Sequence, residues 1–591
     1  MKRWLQALGS VWASLCGFLE PCPKNTRALA LYPERQMALP LFGTDNSSGE
    51  SVSTVPAWSA VLPAGITPSV YQEAIFDFVL YGQGDGIINA VAGAGKTWTL
   101  VQSARLLRLL PDARRATFAA FNRHVAETLR EKLAGTPMTA NTINGMGHGC
   151  LMKYLGGRVQ VDDKKYNRLT LDWLDSGIDL QGAFLKEAER ADLAFNLFHL
   201  VRYARLMLPL PTDLEALAAL AARFDLIVPE VALPGVAEIM GRGENMAADQ
   251  NVIDFTDQLW LPFVWELKPP PMDYVFVDEC QDLSPAQLDL VLKSRAPGGR
   301  MLFVGDPNQS IMAFAGADAN SFWNIKERTG ATELSLSICY RCPRSHIRIA
   351  QRLVPQIEPR PNAPLGVINH ISEASLASHV QNGDLILCRM TAPLVAWCIK
   401  LIQKGIHARV RGVDVCASLI AIIERIEREF SADYTVFESQ LKSYEVEQRS
   451  YLTGRRNSAG RLQSLTDKCN AILECYRSLE ARSIDELCRK IQALFSDDRT
   501  PVWLSTIHRA KGLENPTVYI LYPHRLPLEW PDQQQWEWEQ ELNLRYVAVT
   551  RATERLILLQ PEGMTIDYTD GYLEMRMAEK RSEFRKNAPH A

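Results

Sequence analysis

The stretch Ala90-Val-Ala-Gly-Ala-Gly-Lys-Thr97 lies between a short apolar run, Gly86-Ile-Ile-Asn-Ala90, and a segment opening Trp98-Thr-Leu-Val-Gln. This order reads as a strand, a glycine-rich loop and a helix start, and therefore as an α/β domain. Such a loop turns successive backbone N–H groups towards phosphate oxygens at the positive end of a helix dipole. Lys96 then reaches the β- and γ-phosphates, and Thr97 holds Mg²⁺. Ala90, Gly93 and Gly95 complete the candidate nucleotide loop with Lys96 and Thr97. Ala90 stands where the strict pattern has its first glycine; the alternative is a glycine-rich turn in some other α/β domain.

A second segment about 180 residues on, Asp273-Tyr-Val-Phe-Val-Asp-Glu-Cys-Gln-Asp282, reads as a buried strand ending in carboxylates. Beside a phosphate loop these have a use. Asp278 holds Mg²⁺ directly or through water, and Glu279 polarises the attacking water. The pair of segments predicts an NTP hydrolase with Mg²⁺ as the charge clamp.

Working outward, 591 residues predict several domains, about three to five. Hydrophobic content of 47% and charged content of 22% are those of a globular chain. A net charge of −4 excludes bulk electrostatic attraction to nucleic acid but leaves room for a local basic groove. The twelve cysteines are scattered. Cys339-Tyr-Arg-Cys342 is a lone CxxC without a second pair, which favours reduced thiols over zinc. No apolar run is long enough to span a membrane. The N-terminus loosely imitates a signal peptide, but Gln6 and the serines dilute its apolar core. The expected location is cytoplasmic, with nucleoid association if the source is bacterial or viral. Residues 1–65 are expected to be an extension ending in a Ser/Gly/Pro/Thr-rich linker over 40–66, available for docking a protein partner.

The folded core is expected to begin with a capped amphipathic helix at Ile66-Thr-Pro-Ser-Val-Tyr-Gln72. Strand–helix alternation covers 66–150 and 251–332. Between them, 151–250 reads as a helical insertion, with Leu, Ala and Arg at helical spacing. A second α/β unit covers 333–412 and 499–562, with strands near Asp384–Cys388 and Val502–Ser505. A reduced, charge-rich helical insertion interrupts it at 413–498. Residues 563–591 read as a charged tail, helical and then frayed.

Three more constellations carry chemistry. In Val304-Gly-Asp-Pro-Asn-Gln-Ser-Ile311, a strand leads into a polar turn whose Gln309 can sense the γ-phosphate or position water. Ser505-Thr-Ile-His-Arg-Ala-Lys-Gly-Leu-Glu514 follows a strand. Glu541–Arg555 reads as a helix with Arg551 near its end, an arginine finger if it enters the nucleotide site from a second domain. A surface salt bridge is the ordinary alternative for a lone arginine in Thr-Arg-Ala.

These segments, in this order from 66 to 560, closely resemble the UvrD/Rep-like superfamily 1 DNA helicases. The match comprises Gln72, the Lys96 loop, Asp-Glu-Cys-Gln-Asp, Gly-Asp-Pro-Asn-Gln-Ser-Ile, Tyr340-Arg341, Thr506–Glu514 and Tyr546-Val-Ala-Val-Thr-Arg-Ala552. Ala119-Ala-Phe-Asn-Arg-His124 and Thr142-Ile-Asn-Gly-Met146 lean towards the subgroup with the F-box DNA helicases and small phage or bacterial relatives. The resemblance implies two RecA-like parallel-sheet motor domains of the P-loop NTPase kind, each carrying a mainly helical insertion. It implies that Gln72 reads adenine, Tyr340 stacks near the base and Glu514 contacts the ribose. Arg341 and Arg551 are implied to meet the γ-phosphate, joining Lys96, Asp278, Glu279 and Gln309 as the catalytic set. Phe121, Asn122, Asn144, Phe314 and His508 match positions that touch single-stranded DNA. The implied cofactors are ATP and Mg²⁺. The implied partners are single-stranded and tailed duplex DNA, with 3′ to 5′ movement and work in repair, recombination or replication.

The chain also departs from the family pattern. Met312-Ala-Phe-Ala-Gly-Ala317 stands where the family often has Tyr-x-Trp-Arg-Gly-Ala, so one aromatic is lost and a tryptophan becomes Phe314. Asn144 replaces a usual histidine, Trp98 stands where many relatives have arginine, and the 413–498 insertion is short. Three readings remain: a helicase, a translocase that strips proteins from DNA, and a DNA-stimulated ATPase that regulates a partner such as a defence nuclease. RNA is a further, weaker choice of track.

Overall fold

The computed structural model describes residues 57–560, except 64, 111–114, 122, 135, 137, 177–186, 225, 313–315, 317, 319, 431–433, 454–457, 498–500 and 532, together with 576–580. Two six-stranded, wholly parallel sheets organise it. The first contains β1 (Gly86–Ala90), β2 (Ala116–Ala120), β3 (Thr139–Thr142), β4 (Met272–Val277), β5 (Arg295–Gly305) and β6 (Thr332–Leu336), in spatial order β3-β2-β4-β5-β1-β6. The second contains β7 (Val367–Ser372), β8 (Leu385–Cys388), β9 (Ala408–Val410), β10 (Val502–Thr506), β11 (Asn515–Ile520) and β12 (Ala552–Gln560), in order β7-β12-β11-β8-β10-β9. Parallel strands need crossovers, and helices supply them on both faces. The central strands are accordingly apolar on both sides: Ile87, Ile88, Val275, Phe276, Val277, Phe303 and Val304 are all fully buried.

The first folded helix, Val70–Tyr81, starts at Ser69. Its hydroxyl accepts from the Gln72 N–H while the Gln72 side chain accepts from the Ser69 N–H, a reciprocal capping box. The folded core begins earlier than the sequence suggests. Trp58 and Val61 are buried in the first domain, Trp58 packs on Phe76, and its indole donates to Asp77 at 2.9 Å. A Pro/Ser-rich composition therefore hides an anchored tryptophan within the expected linker. Residues 1–56 and 64 of the extension, and most of the tail, lie outside the described residues; helix is present at 576–580.

Residues 151–250 hold the helices Lys165–Asp175, Glu187–Met207, Leu214–Arg223 and Pro234–Gln250, with one short strand, Gln160–Val161, paired to Val252–Ile253. Their junction with the first α/β domain is a buried ionic cluster. Arg205 donates to both Asp254 oxygens at 2.8 and 3.0 Å and to Asp257 at 2.9 Å, and Lys165 bonds Asp257 at 2.6 Å. Residues 413–498 form the helices Val413–Phe430, Phe437–Leu452, Ser458–Ser478 and Ile484–Leu494. Their apolar faces share one core with the second sheet, where Leu419, Ile472, Cys475 and Leu487 lie with Ile386, Leu504 and Ile557. Asp467 seals the joint by accepting the N–H groups of Thr391 and Ala392 at 2.7 and 2.9 Å, at the positive end of the second-domain helix Ala392–Gln403.

One expected element is displaced towards the N-terminus. The helix expected over 541–555 runs from Gln535 to Val549, and β12 begins at Ala552. Arg551 therefore occupies the two-residue turn between them, where its backbone N–H still reaches the Ala548 carbonyl.

Candidate functional site

The loop after β1 turns through Gly93 and Gly95, at φ +68° and +78°. Gly95 precedes the helix Lys96–Leu106, whose first turn has no side-chain cap, so its amides form a cradle of positive charge. A side chain at Gly93 would lie 2.6 Å from Arg341 Cβ and 3.0 Å from Cys339 Sγ. The loop thus packs against the first strand of the polypeptide entering the second domain, and Tyr340 N–H donates to the Gly93 carbonyl at 2.9 Å. Ala90 itself is fully buried at the end of β1, its methyl in the core.

β4 delivers the carboxylates. Thr97 Oγ1 donates to Asp278 at 3.0 Å, and Lys96 Nζ lies 3.4 Å from Glu279. Burial, and then the Glu279 charge, push Asp278 up to about 6. Burial also opposes ionisation of Glu279, but Lys96 and Lys511 outweigh it and hold that carboxylate down at about 2. For Lys96 the balance also favours charge: burial opposes it, but Glu279, Asp306 and Asp278 raise its pKa. Glu279 has φ +53°, a left-handed conformation rare for a non-glycine residue and typical of a constrained site. A hydroxyl beside a carboxylate is a hard oxygen set suited to Mg²⁺, so Thr97 and Asp278 fit that ion.

β5 leads into Asp306, whose carboxylate accepts from the Gln309 amide at 2.6 Å. Gln309 Oε1 in turn accepts from Arg551 at 3.4 Å. Arg551 is almost wholly buried and also donates to the carbonyls of Val547 and Leu513. Burial and the neighbouring Arg341 guanidinium lower its pKa to about 10, so it stays charged at neutral pH. Arg341 donates to Glu514 at 2.7 Å and to the Thr550 carbonyl at 3.3 Å. The structure therefore gathers Lys96, Thr97, Asp278, Glu279, Gln309, Arg341 and Arg551 at one cleft between the sheets.

Gln72 and Tyr340 form a neighbouring pair. The Tyr340 hydroxyl lies 3.5 Å from Gln72 Oε1, while Gln72 Nε2 bonds Thr99 Oγ1 at 3.2 Å. Gln72 is thus bonded within the protein, and Tyr340 is its exposed companion. Sequence reasoning missed two groups. Lys511 pairs with Asp282 and donates to the Gln309 carbonyl at 2.6 Å, across the cleft. The Tyr546 hydroxyl accepts the Ala92 N–H at 2.9 Å. Both lie inside quoted segments, but nothing in their spacing marks them.

On the flank of the first sheet, Phe121 follows β2 and Asn144 follows β3, at adjacent carboxyl ends. Asn144 donates to the Phe255 carbonyl at 2.9 Å, and Phe255 is 57% exposed, a further aromatic that sequence reasoning missed. His508 follows β10 at the corresponding edge of the second sheet, its imidazole held neutral by burial and Arg389. Asn122 and Phe314 lie outside the described residues.

Comparison with known proteins now bears on this geometry. Residues 73–315 match the family model described as an AAA domain, and residues 501–559 match the UvrD-like helicase C-terminal domain. The chain belongs to the UvrD-like superfamily 1 helicases. The two matched regions of this UvrD-like chain supply the two sides of the cleft. It is 24% identical to F-box DNA helicase 1 of Gallus gallus over 512 residues, 80% of this chain and 47% of that protein. Similarity to the ATP-dependent DNA helicase PcrA of Staphylococcus aureus is 22% over 446 residues, 55% of this chain and 60% of that protein. A stretch of 135 residues is 33% identical to the ATP-dependent DNA helicase srs2 of Schizosaccharomyces pombe, 22% and 15% of the two chains. The chain thus spans about half the length of the first of these relatives. Among the described residues, no helix is long and apolar enough to cross a membrane.

Proposed function

We propose that this chain is an ATP-driven motor that moves on single-stranded DNA, in the 3′ to 5′ direction, and separates tailed duplexes. The observation that carries the reading is the bond from Arg551, beside the second sheet, to Gln309, beside the first, next to the Lys96–Glu279 pair and to Arg341. ATP enters the cleft, with Gln72 reading the adenine, Tyr340 stacking near it and Glu514 meeting the ribose. Ala90, Gly93, Gly95, Lys96 and Thr97 form the phosphate-binding loop. Thr97 and Asp278 would hold Mg²⁺, which would supply a charge clamp for the phosphates. Glu279, kept ionised, orients the attacking water with Gln309. Arg341 and Arg551 stabilise the charge that develops on the transferred phosphoryl group, and their withdrawal after hydrolysis reopens the cleft. Phe121, Asn122, Asn144, Phe314 and His508, joined by Phe255, grip and release the strand. Work in repair, recombination or replication follows from this activity, with residues 1–65 as the arm for a protein partner.

The test is ATP hydrolysis with and without single-stranded DNA, run beside displacement of a labelled strand from 3′-tailed and 5′-tailed duplexes. Lys96→Ala and Glu279→Gln serve as inactive controls. Stimulation by DNA with displacement from the 3′-tailed substrate is expected. Absence of stimulation overturns the motor reading. A stripping translocase is the second reading, favoured by the 413–498 helices being fused into the second core. It predicts stimulated hydrolysis without displacement, and single-stranded RNA as competitor tests the track.

A further inference from the structure

The helix Glu187–Met207 carries Phe195, His199 and Tyr203 one turn apart. Their rings form a ladder, with centroids 4.3 Å apart from Phe195 to His199 and 6.2 Å from His199 to Tyr203. Phe224 extends it, stacked on Tyr203 at 3.9 Å and 12°. The lower end is buried and fixed: Tyr203 is 8% exposed, and Tyr203 and Leu206 lie beside Gly316, where an added methyl would meet them at 3.5 and 2.8 Å. Gly316 belongs to the Met312–Ala317 segment, which carries Phe314 and lacks one of the family's usual aromatics. The upper end is open, with Phe195 57% exposed.

Tyr203 and Phe224, at the lower end, belong to the insertion's core with Leu193, Leu197, Leu200 and Val201, whereas Phe195 stands outside it. The ladder's surroundings favour a polyanion. Arg202 lies beside His199 and Tyr203, and Arg223 stands over the Phe224 ring at 5.7 Å. Asp192 pairs with Arg425 and Asp318 pairs with Arg223, each at 3.4 Å. His199 is driven down to about 4 by burial and by Arg202, so at neutral pH it presents an uncharged ring. Phe195, packed on His199 and 57% exposed, is the open end at which a base can stack.

We propose that this ladder, with Phe195 as its outermost ring, is a stacking site for an unpaired DNA strand, continuing the track of the motor groove onto the helical insertion. The inference rests on the single-stranded DNA motor reading above. Bases stack on aromatic faces without regard to sequence, while Arg202 meets a phosphate. The site supplies part of the stacking surface that the Met312–Ala317 segment has lost.

The test is fluorescence anisotropy of the full chain with labelled oligothymidylates of about 8 and about 20 nucleotides, the shorter filling only the motor groove. Phe195→Ala is expected to weaken binding of the longer oligomer by roughly 5-fold or more and to leave the shorter one as in wild type, with Phe195→Trp restoring affinity. Equal binding of both oligomers by Phe195→Ala and wild type overturns the ladder site alone, as does an equal loss on both. Failure of the wild type to bind either oligomer overturns the motor reading with it.

Discussion

Gly93→Ala inserts a methyl 2.6 Å from Arg341 Cβ and 3.0 Å from Cys339 Sγ, at a backbone angle of φ +68°. The left-handed backbone alone costs an L-residue about 1–2 kcal/mol, and the contact with the opposite domain adds to it. The expected result is a fall in nucleotide affinity of roughly tenfold or more with a lower melting temperature, read by nucleotide titration and thermal denaturation. Lys511→Ala acts on a different balance. Burial already holds the Asp282 carboxyl above the usual range, and Lys511 is the cation that restrains it. A carboxyl that binds its proton more tightly folded than unfolded loses stability as pH rises from its unfolded value through its folded one. Removing Lys511 raises the folded value further. The variant should therefore lose about 3 kcal/mol near pH 8 and visibly less near pH 5, by urea denaturation at both. Lys511 was illegible in the sequence because its meaning depends on Asp282, 229 residues away. The phosphate loop was legible because its chemistry is local.

The same division holds for whole elements. Strands at 86–90, 385–388 and 502–506 announce themselves as apolar runs, and the capping box at Ser69 is written in Ser-x-x-Gln. The end of the Gln535–Val549 helix is not, because Tyr546-Val-Ala-Val549 suits helix and strand alike and tertiary packing decides where one yields to the other. At the root of the first insertion, Asp254 and Asp257 look like ordinary surface carboxylates in sequence, yet they neutralise the buried Lys165 and Arg205. Asp257→Ala leaves two buried cations with one carboxylate between them. A loss of about 3–5 kcal/mol is expected, measured by urea unfolding, with Asp257→Asn less severe because it keeps the shape and two hydrogen-bonding groups.

Across the whole molecule, the cleft is stitched by contacts from both sides: Lys511 to Asp282, Asn543 to the Ser310 carbonyl, Gln540 to the Ile311 carbonyl, and Arg551 to Gln309. Arg551→Lys keeps the charge but loses the planar fork that serves Val547, Leu513 and Gln309 together. DNA-stimulated turnover should fall by on the order of 10³-fold with nucleotide binding largely retained, checked by steady-state hydrolysis beside a binding titration. The two-sheet architecture and the order of its motifs could be read from sequence, since each motif is short and contiguous. The fusion of 413–498 with the second core could not, because helical periodicity shows that a face is apolar but not what covers it. The contact between Tyr546 and Ala92 joins residues 454 positions apart. At about 5–20 residues per second, a ribosome needs on the order of half a minute to a minute and a half to get from one to the other. Through that interval the emerging polypeptide carries its glycine loop without Tyr546 or Arg551, so one wall of the cleft stands complete before the other has been made.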